Sequence, residues 1–199
     1  EMIDKGIGEI LKSLEDTDQL DNTIIVFTSD HGDMMGDHGL FLKGFMHYRG
    51  TLQVPLMVRA PGIEAQKNHE LASSIDIGPT LLELCELPFY EGIQGETLVP
   101  ILLGDKKSVR DCVLIEDDIA TVTSRLTPIP AKTRTLITET HRYTRNSKLE
   151  EQLFNLDEDP DELTDLSTGL HSARSAIIEQ MMDALIKADD AARGAPTTA

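Results

Sequence analysis

The chain has 199 residues, 35 of them acidic and 18 basic, which gives a formal net charge of -17. This length is enough for one sizeable domain with its own core. An acidic surface repels phosphate backbones and anionic lipid headgroups, so the composition argues against nucleic-acid and membrane partners. An anionic substrate would need a local cation to overcome the overall field, which directs attention to metal ligands and to clusters of Lys, Arg and His.

The first half of the chain shows the pattern of an α/β protein. Apolar residues recur at helical spacing over residues 1–16 and predict a surface helix. The short β-branched run over residues 23–28 predicts a strand buried on both faces, and residues 54–59 predict a second strand. Asp76 is expected to cap a further helix. A helix followed by a buried strand is typical of a mostly parallel sheet.

The second half is predicted to be antiparallel. After a strand over residues 112–116, residues 117–131 contain two prolines and no clear period, which indicates a loop. Residues 133–138 and 141–145 predict a hairpin, and residues 152–156 a third strand.

These elements lead to one fold prediction. Apolar spacing from Leu170 to Ile186 predicts a final amphipathic helix. We therefore predict an α/β fold in two parts. Residues 1–116 form a partial, mostly parallel sheet with flanking helices, and residues 117–199 form a small antiparallel sheet packed with a helix.

The first candidate site is the pair Asp30 and His31, which directly follows the first predicted strand. Ligands of open α/β sheets gather at the carboxyl ends of strands. A carboxylate and an imidazole there could both reach one divalent cation. From these residues alone, a loop-capping aspartate with a hydrogen-bonded histidine is an equally good interpretation.

Lys43 and His47 lie further along the same polar loop. A lysine near a metal can bind the anionic oxygens of an ester and stabilise the departing oxygen. Taken alone, Lys43 would be interpreted as a solvated surface lysine. His38 is interpreted as a structural residue of the loop.

The ordered combination of these segments resembles the C-terminal signature of the sulfatase family, within the alkaline-phosphatase-like superfamily. The matching segments are TSDHGDMMGDHGL at 28–40, LKG at 42–44, VPLMVRAPG at 54–62, DIGPTLL at 76–82, RTL at 134–136, RY at 142–143 and LFNLDEDPDE at 153–162. The resemblance runs over about residues 1–186.

The resemblance implies a role for four residues. Asp30 and His31 would supply two ligands of an active-site divalent cation, usually Ca²⁺. Lys43 would contact the sulfate and the leaving-group oxygen, and His47 would contact the substrate. Many family members carry Asn at the position of His31, so Mn²⁺ and Zn²⁺ also remain open.

The same resemblance implies a formylglycine nucleophile, made from Cys or Ser in a Cys/Ser-x-Pro-x-Arg motif. No such motif occurs in these 199 residues. We expect it in an N-terminal half upstream, together with any targeting segment, so the cellular location is not predicted. The isolated chain should be inactive and should form homo-oligomers or associate with that half.

The expected substrate is a sulfate ester of a small molecule or saccharide. Two alternatives stay open: a phosphonate monoester hydrolase or phosphodiesterase of the same superfamily, and a non-catalytic binding fragment.

Overall fold

The computed structural model describes residues 1–43, 46–118, 132–168 and 174–193. The chain begins with helix α1 (Met2–Asp16) and strand β1 (Ile25–Thr28), followed by the short helix α2 (Arg49–Leu52) and strand β2 (Leu56–Arg59). Helix α1 and the first strand confirm the elements predicted there. No residue of α1 is fully buried: Met2, Ile3 and Ile10 are exposed, and the other apolar residues are half-buried.

Strands β1 and β2 form a two-stranded antiparallel sheet, in which Ile25 faces Arg59 and Thr28 faces Leu56. The prediction of a mostly parallel sheet is therefore wrong for the pair of strands described here. A β-branched apolar run predicts a strand but carries no information on its direction. Strand β1 is half-buried and ends on the exposed Thr28, so the prediction of burial on both faces is also wrong.

Helices α3 (Ile77–Leu84) and α4 (Val99–Leu102) follow. Asp76, which is fully buried, lies directly before α3. Asp76 occupies the N-cap position of α3, but its carboxylate makes no capping hydrogen bond to that helix. The carboxylate instead accepts hydrogen bonds from the backbone N–H groups of Ser73 at 2.7 Å and Glu96 at 2.8 Å, and it pairs with Arg110. Asp76 therefore does not cap α3 through its side chain as predicted. Its carboxylate connects the segments that contain Ser73, Glu96 and Arg110.

A four-stranded antiparallel sheet makes up most of the second half. Its strands are β3 (Cys112–Asp118), β4 (Lys132–Thr138), β5 (His141–Asn146) and β6 (Glu151–Asn155), and they pair in chain order. This confirms the predicted hairpin and the third strand. Strand β3 pairs with β4 along its whole length, so the boundary predicted after residue 116 falls inside β3. Beyond Asp118, the loop predicted over 117–131 lies outside the described residues.

The last helix, α5 (Arg174–Arg193), packs on this sheet. A buried apolar cluster joins the two, and it consists of Leu136, Tyr143, Leu153, Ile177 and Met181. Among the described helices, none has a stretch apolar and long enough to span a bilayer.

Two consecutive methionines of α5 test this packing. Met181 is 4% exposed and Met182 is 54% exposed. Met181→Ala is expected to lower the free energy of unfolding by about 2–3 kcal/mol, because it leaves a cavity in the cluster. Met182→Ala should change it by less than about 0.5 kcal/mol. Urea denaturation of both variants checks this, and equal effects would contradict the packing of α5.

Candidate active site

The site begins where strand β1 ends. The Asp30 side chain is 84% exposed, and its Oδ1 accepts a hydrogen bond from the backbone N–H of His31 at 2.9 Å. This hydrogen bond is the main reason that the pKa of the Asp30 carboxyl lies below its usual value. The other carboxylate oxygen, Oδ2, lies 3.5 Å from Nε2 of His31. An ionised carboxylate and an imidazole nitrogen therefore stand side by side.

The hydrogen bonds of His31 indicate which ring nitrogen carries the proton. Its Nδ1 lies 2.9 Å from the carbonyl oxygen of Gly32, and a carbonyl can only accept, so Nδ1 carries the proton. Its Nε2 then has a free lone pair, which accepts from the ammonium of Lys43 at 2.7 Å. This lone pair is the one that a metal ion would use. In the described part of the chain, no three His, Cys, Asp or Glu side chains cluster in a way that could hold a metal ion.

A close backbone contact holds the loop in place. The Gly32 N–H donates to the carbonyl of Thr51 in α2 at 2.9 Å. A Cβ atom at Gly32 would lie 2.1 Å from the carbonyl oxygen of Gly50, which is too close for any residue with a side chain. Glycine at this position therefore allows the segment that carries Asp30 and His31 to lie directly against α2.

Beside this segment lies a cavity of about 290 Å³. Three residues predicted from the sequence line it, namely His31, Lys43 and His47, while Asp30 stands at the surface next to it. The remaining lining residues are Met46, Thr51, Leu52 and Asp117.

His47 is buried between the loop and the four-stranded sheet, with 7% of its surface exposed. Its Nδ1 lies 2.8 Å from Oγ1 of Thr135 in β4, and its Nε2 lies 3.7 Å from Oδ2 of Asp117 in β3. Burial lowers the pKa of His47 below its ordinary value, and the nearby Asp117 carboxylate only partly opposes this. The neutral imidazole is therefore favoured.

Asp117 and Thr135 are site residues that the sequence did not identify. Asp117 is the middle member of a polar Glu-Asp-Asp run at the end of an apolar strand, and only its contact with His47 distinguishes it from its neighbours. His38 does not line the cavity; its ring stacks on Tyr48 with the centroids 3.9 Å apart.

Comparison with known proteins assigns the family. Residues 1–87 match the family model named Sulfatase. Arylsulfatase K of Gallus gallus is 38% identical over 181 residues. The chain belongs to the sulfatase family. That alignment covers 82% of this chain but 31% of arylsulfatase K, so this sulfatase chain spans about a third of the length of the relative.

Solved structures extend the comparison to the fold. A phosphonate monoester hydrolase of Agrobacterium radiobacter superposes with a TM-score of 0.81 at 28% identity, over 95% of this chain and 39% of that one. A protein solved in complex with its substrate, D-glucosamine-2-N,6-O-disulfate, superposes with a TM-score of 0.80 at 26% identity, over 94% of this chain and 39% of that one. The sulfatase chain thus has part of the alkaline-phosphatase-like fold, which confirms the superfamily predicted from the sequence.

Proposed function

We propose that this chain carries part of the metal- and substrate-binding site of an enzyme that hydrolyses sulfate esters. The observation that supports it best is the 2.7 Å contact between Lys43 Nζ and His31 Nε2, beside the Asp30 carboxylate. It brings a cation and two metal-binding groups to one edge of the cavity, although the chain as a whole is strongly acidic. A local positive site is what an anionic ester requires on such a surface.

Asp30 and His31 are proposed to hold a divalent cation. When bound, such an ion polarises the ester oxygens and neutralises developing negative charge. The carboxylate suits Ca²⁺, and the imidazole keeps Mn²⁺ and Zn²⁺ open. One lone pair on His31 Nε2 cannot serve both a cation and Lys43, so with a cation held there the Lys43 ammonium would be available to an anionic oxygen.

Lys43 and His47 are proposed to act on the ester itself. The Lys43 ammonium can bind a sulfate oxygen and stabilise the negative charge that develops on the departing oxygen. His47 lines the same cavity, with its Nε2 near Asp117, and is proposed to contact the same ester. The nucleophile is proposed to be a formylglycine outside this chain, because the Cys/Ser-x-Pro-x-Arg motif is absent from its sequence.

The substrate class is proposed to be a sulfated small molecule or saccharide. The structural neighbour solved with a disulfated glucosamine supports the saccharide. A phosphonate monoester is the second candidate, because the hydrolase of Agrobacterium radiobacter is equally similar in fold. Both substrates present tetrahedral anionic oxygens, which the same lysine and metal ligands could bind.

Rates measured side by side test the proposal. A full-length protein containing this chain is expected to hydrolyse an aryl sulfate faster than an aryl phosphonate monoester, and removal of divalent metal with EDTA should abolish both rates. The isolated 199-residue chain should hydrolyse neither substrate. The matched control for metal removal is re-addition of Ca²⁺, Mn²⁺ or Zn²⁺ in turn, and the ion that restores the rate identifies the metal.

Four outcomes would contradict parts of the proposal. A faster rate on the phosphonate would favour the second candidate. Full activity after metal removal would exclude a metal role for Asp30 and His31. Turnover by the isolated chain would show that the nucleophile lies within it, and binding without turnover by the full-length protein would favour a non-catalytic role.

A further inference from the structure

A series of buried hydrogen bonds connects Arg142 in the four-stranded sheet to His47. Arg142 Nη1 donates to Oγ1 of Thr144 at 2.7 Å, and Oγ1 of Thr144 lies 2.6 Å from Oγ1 of Thr135. Oγ1 of Thr135 in turn lies 2.8 Å from Nδ1 of His47. All four side chains are buried, so their hydrogen bonds are shielded from exchange with bulk water.

The guanidinium of Arg142 determines which group donates in each hydrogen bond of this series. A guanidinium has no acceptor, so Thr144 must accept from Arg142 and has one hydroxyl proton left to donate. Among the described residues the remaining partner of Thr144 is Thr135. Thr135 therefore accepts from Thr144 and donates its own hydroxyl hydrogen to Nδ1 of His47. The reverse direction would leave the Thr144 hydroxyl proton buried without an acceptor. Nδ1 of His47 is then an acceptor and carries no proton.

Arg142, at the end of the series furthest from His47, is held in place by several contacts. Glu162 pairs with Nε of Arg142, and both side chains are almost completely buried. The guanidinium also lies over two aromatic rings, 5.0 Å from the centroid of Tyr48 and 4.6 Å from that of Phe154. Arg142 therefore cannot turn away from Thr144 without breaking a buried ion pair.

We infer that Thr135 is a positioning residue that fixes His47 as the neutral tautomer with its proton on Nε2. Nε2 lies on the side of the ring near Asp117, which lines the same cavity as His47, and Oδ2 of Asp117 at 3.7 Å is too far for a direct hydrogen bond. His47 thus offers an available hydrogen-bond donor at the cavity wall. Its use on an ester oxygen rests on the proposed function, but the tautomer does not.

Ring-nitrogen NMR tests the tautomer without any assay of activity. The 199-residue chain is labelled with ¹⁵N-histidine, and His47→Gln identifies the signals of His47 by their loss. In the wild type we expect a protonated Nε2 and an unprotonated Nδ1. A proton on Nδ1 would overturn the inference, and this measurement needs no variant of Thr135.

Two substitutions at Thr135 test the positioning role. Thr135→Val keeps the shape but removes the hydroxyl, so the Nδ1 signal of His47 should shift, whereas Thr135→Ser should leave it in place. In the full-length protein Thr135→Val should lower kcat about tenfold, and Thr135→Ser should stay within about twofold, as for hydrogen-bonding partners of other site histidines. An unchanged Nδ1 signal in the folded valine variant would overturn the positioning role. A full-length protein without sulfatase activity would contradict the proposed function and leave the NMR result standing.

Discussion

Replacing Glu162 with glutamine is expected to lower the free energy of unfolding by about 3–5 kcal/mol, because it leaves the charge of Arg142 buried without a counter-ion. Both partners of this pair are nearly inaccessible to water, at 1% and 2% of their side-chain surfaces. Oε2 of Glu162 also accepts the backbone N–H of Arg49 at 2.7 Å, so the substitution disturbs the loop as well as the sheet. Chemical denaturation followed by circular dichroism measures the change.

The matched control is the same substitution in an exposed pair. Glu9 lies 4.0 Å from Lys5 on α1, with both side chains largely exposed. Glu9→Gln should change the free energy of unfolding by less than about 0.5 kcal/mol. If Glu162→Gln were as mild as Glu9→Gln, the buried ion pair would not be the main support of Arg142.

Replacing Lys43 with methionine is expected to lower kcat/KM on an aryl sulfate by about 10²–10³-fold in a full-length protein. Methionine keeps most of the length of the side chain but removes the charge that would stabilise the departing oxygen. Because Lys43 binds no metal in this proposal, the affinity for the divalent cation should not fall. Steady-state kinetics and calorimetric metal titration together separate the two effects.

Lys12→Met on the exposed face of α1 is the control for loss of one positive charge. It should leave kcat/KM within about twofold, because Lys12 is exposed and paired with Asp16, and salt screens exposed charges. A comparable loss in both variants would point to a general charge effect. A loss of metal affinity in Lys43→Met would mean that Lys43 supports the ligands and does not act on the ester.

Local patterns were sufficient to predict the elements but not the way in which they pair. The apolar spacing of Ile3, Ile7 and Ile10 predicts α1, and residues 133–138 and 141–145 predict the hairpin of β4 and β5. The antiparallel pairing of β1 with β2 could not be predicted, because strand direction depends on the path of the chain between them. The extension of β3 to Asp118 depends in the same way on its partner β4.

The site shows the same division between local and distant information. His31 and Lys43 are twelve residues apart in one loop, so a local motif was enough to propose them together, and the structure brings them into contact. The burial of His47 could not be predicted, since its hydrogen-bond partner Thr135 lies 88 residues away in the sequence. Asp117 enters the cavity from the same sheet, and only the fold brings it to His47.

Chain entropy couples two of the hydrogen bonds that attach the loop to the second half of the chain. They join His47 to Thr135 and Arg49 to Glu162, across 88 and 113 residues. The entropy of closing a flexible segment grows only with the logarithm of its length, so the two closures differ by about 0.2 kcal/mol. Once either contact has formed, the other closes a shorter loop, made of the two residues from His47 to Arg49 and the 27 residues from Thr135 to Glu162. Each contact therefore lowers the entropy cost of forming the other by about 1 kcal/mol, and the loop docks cooperatively.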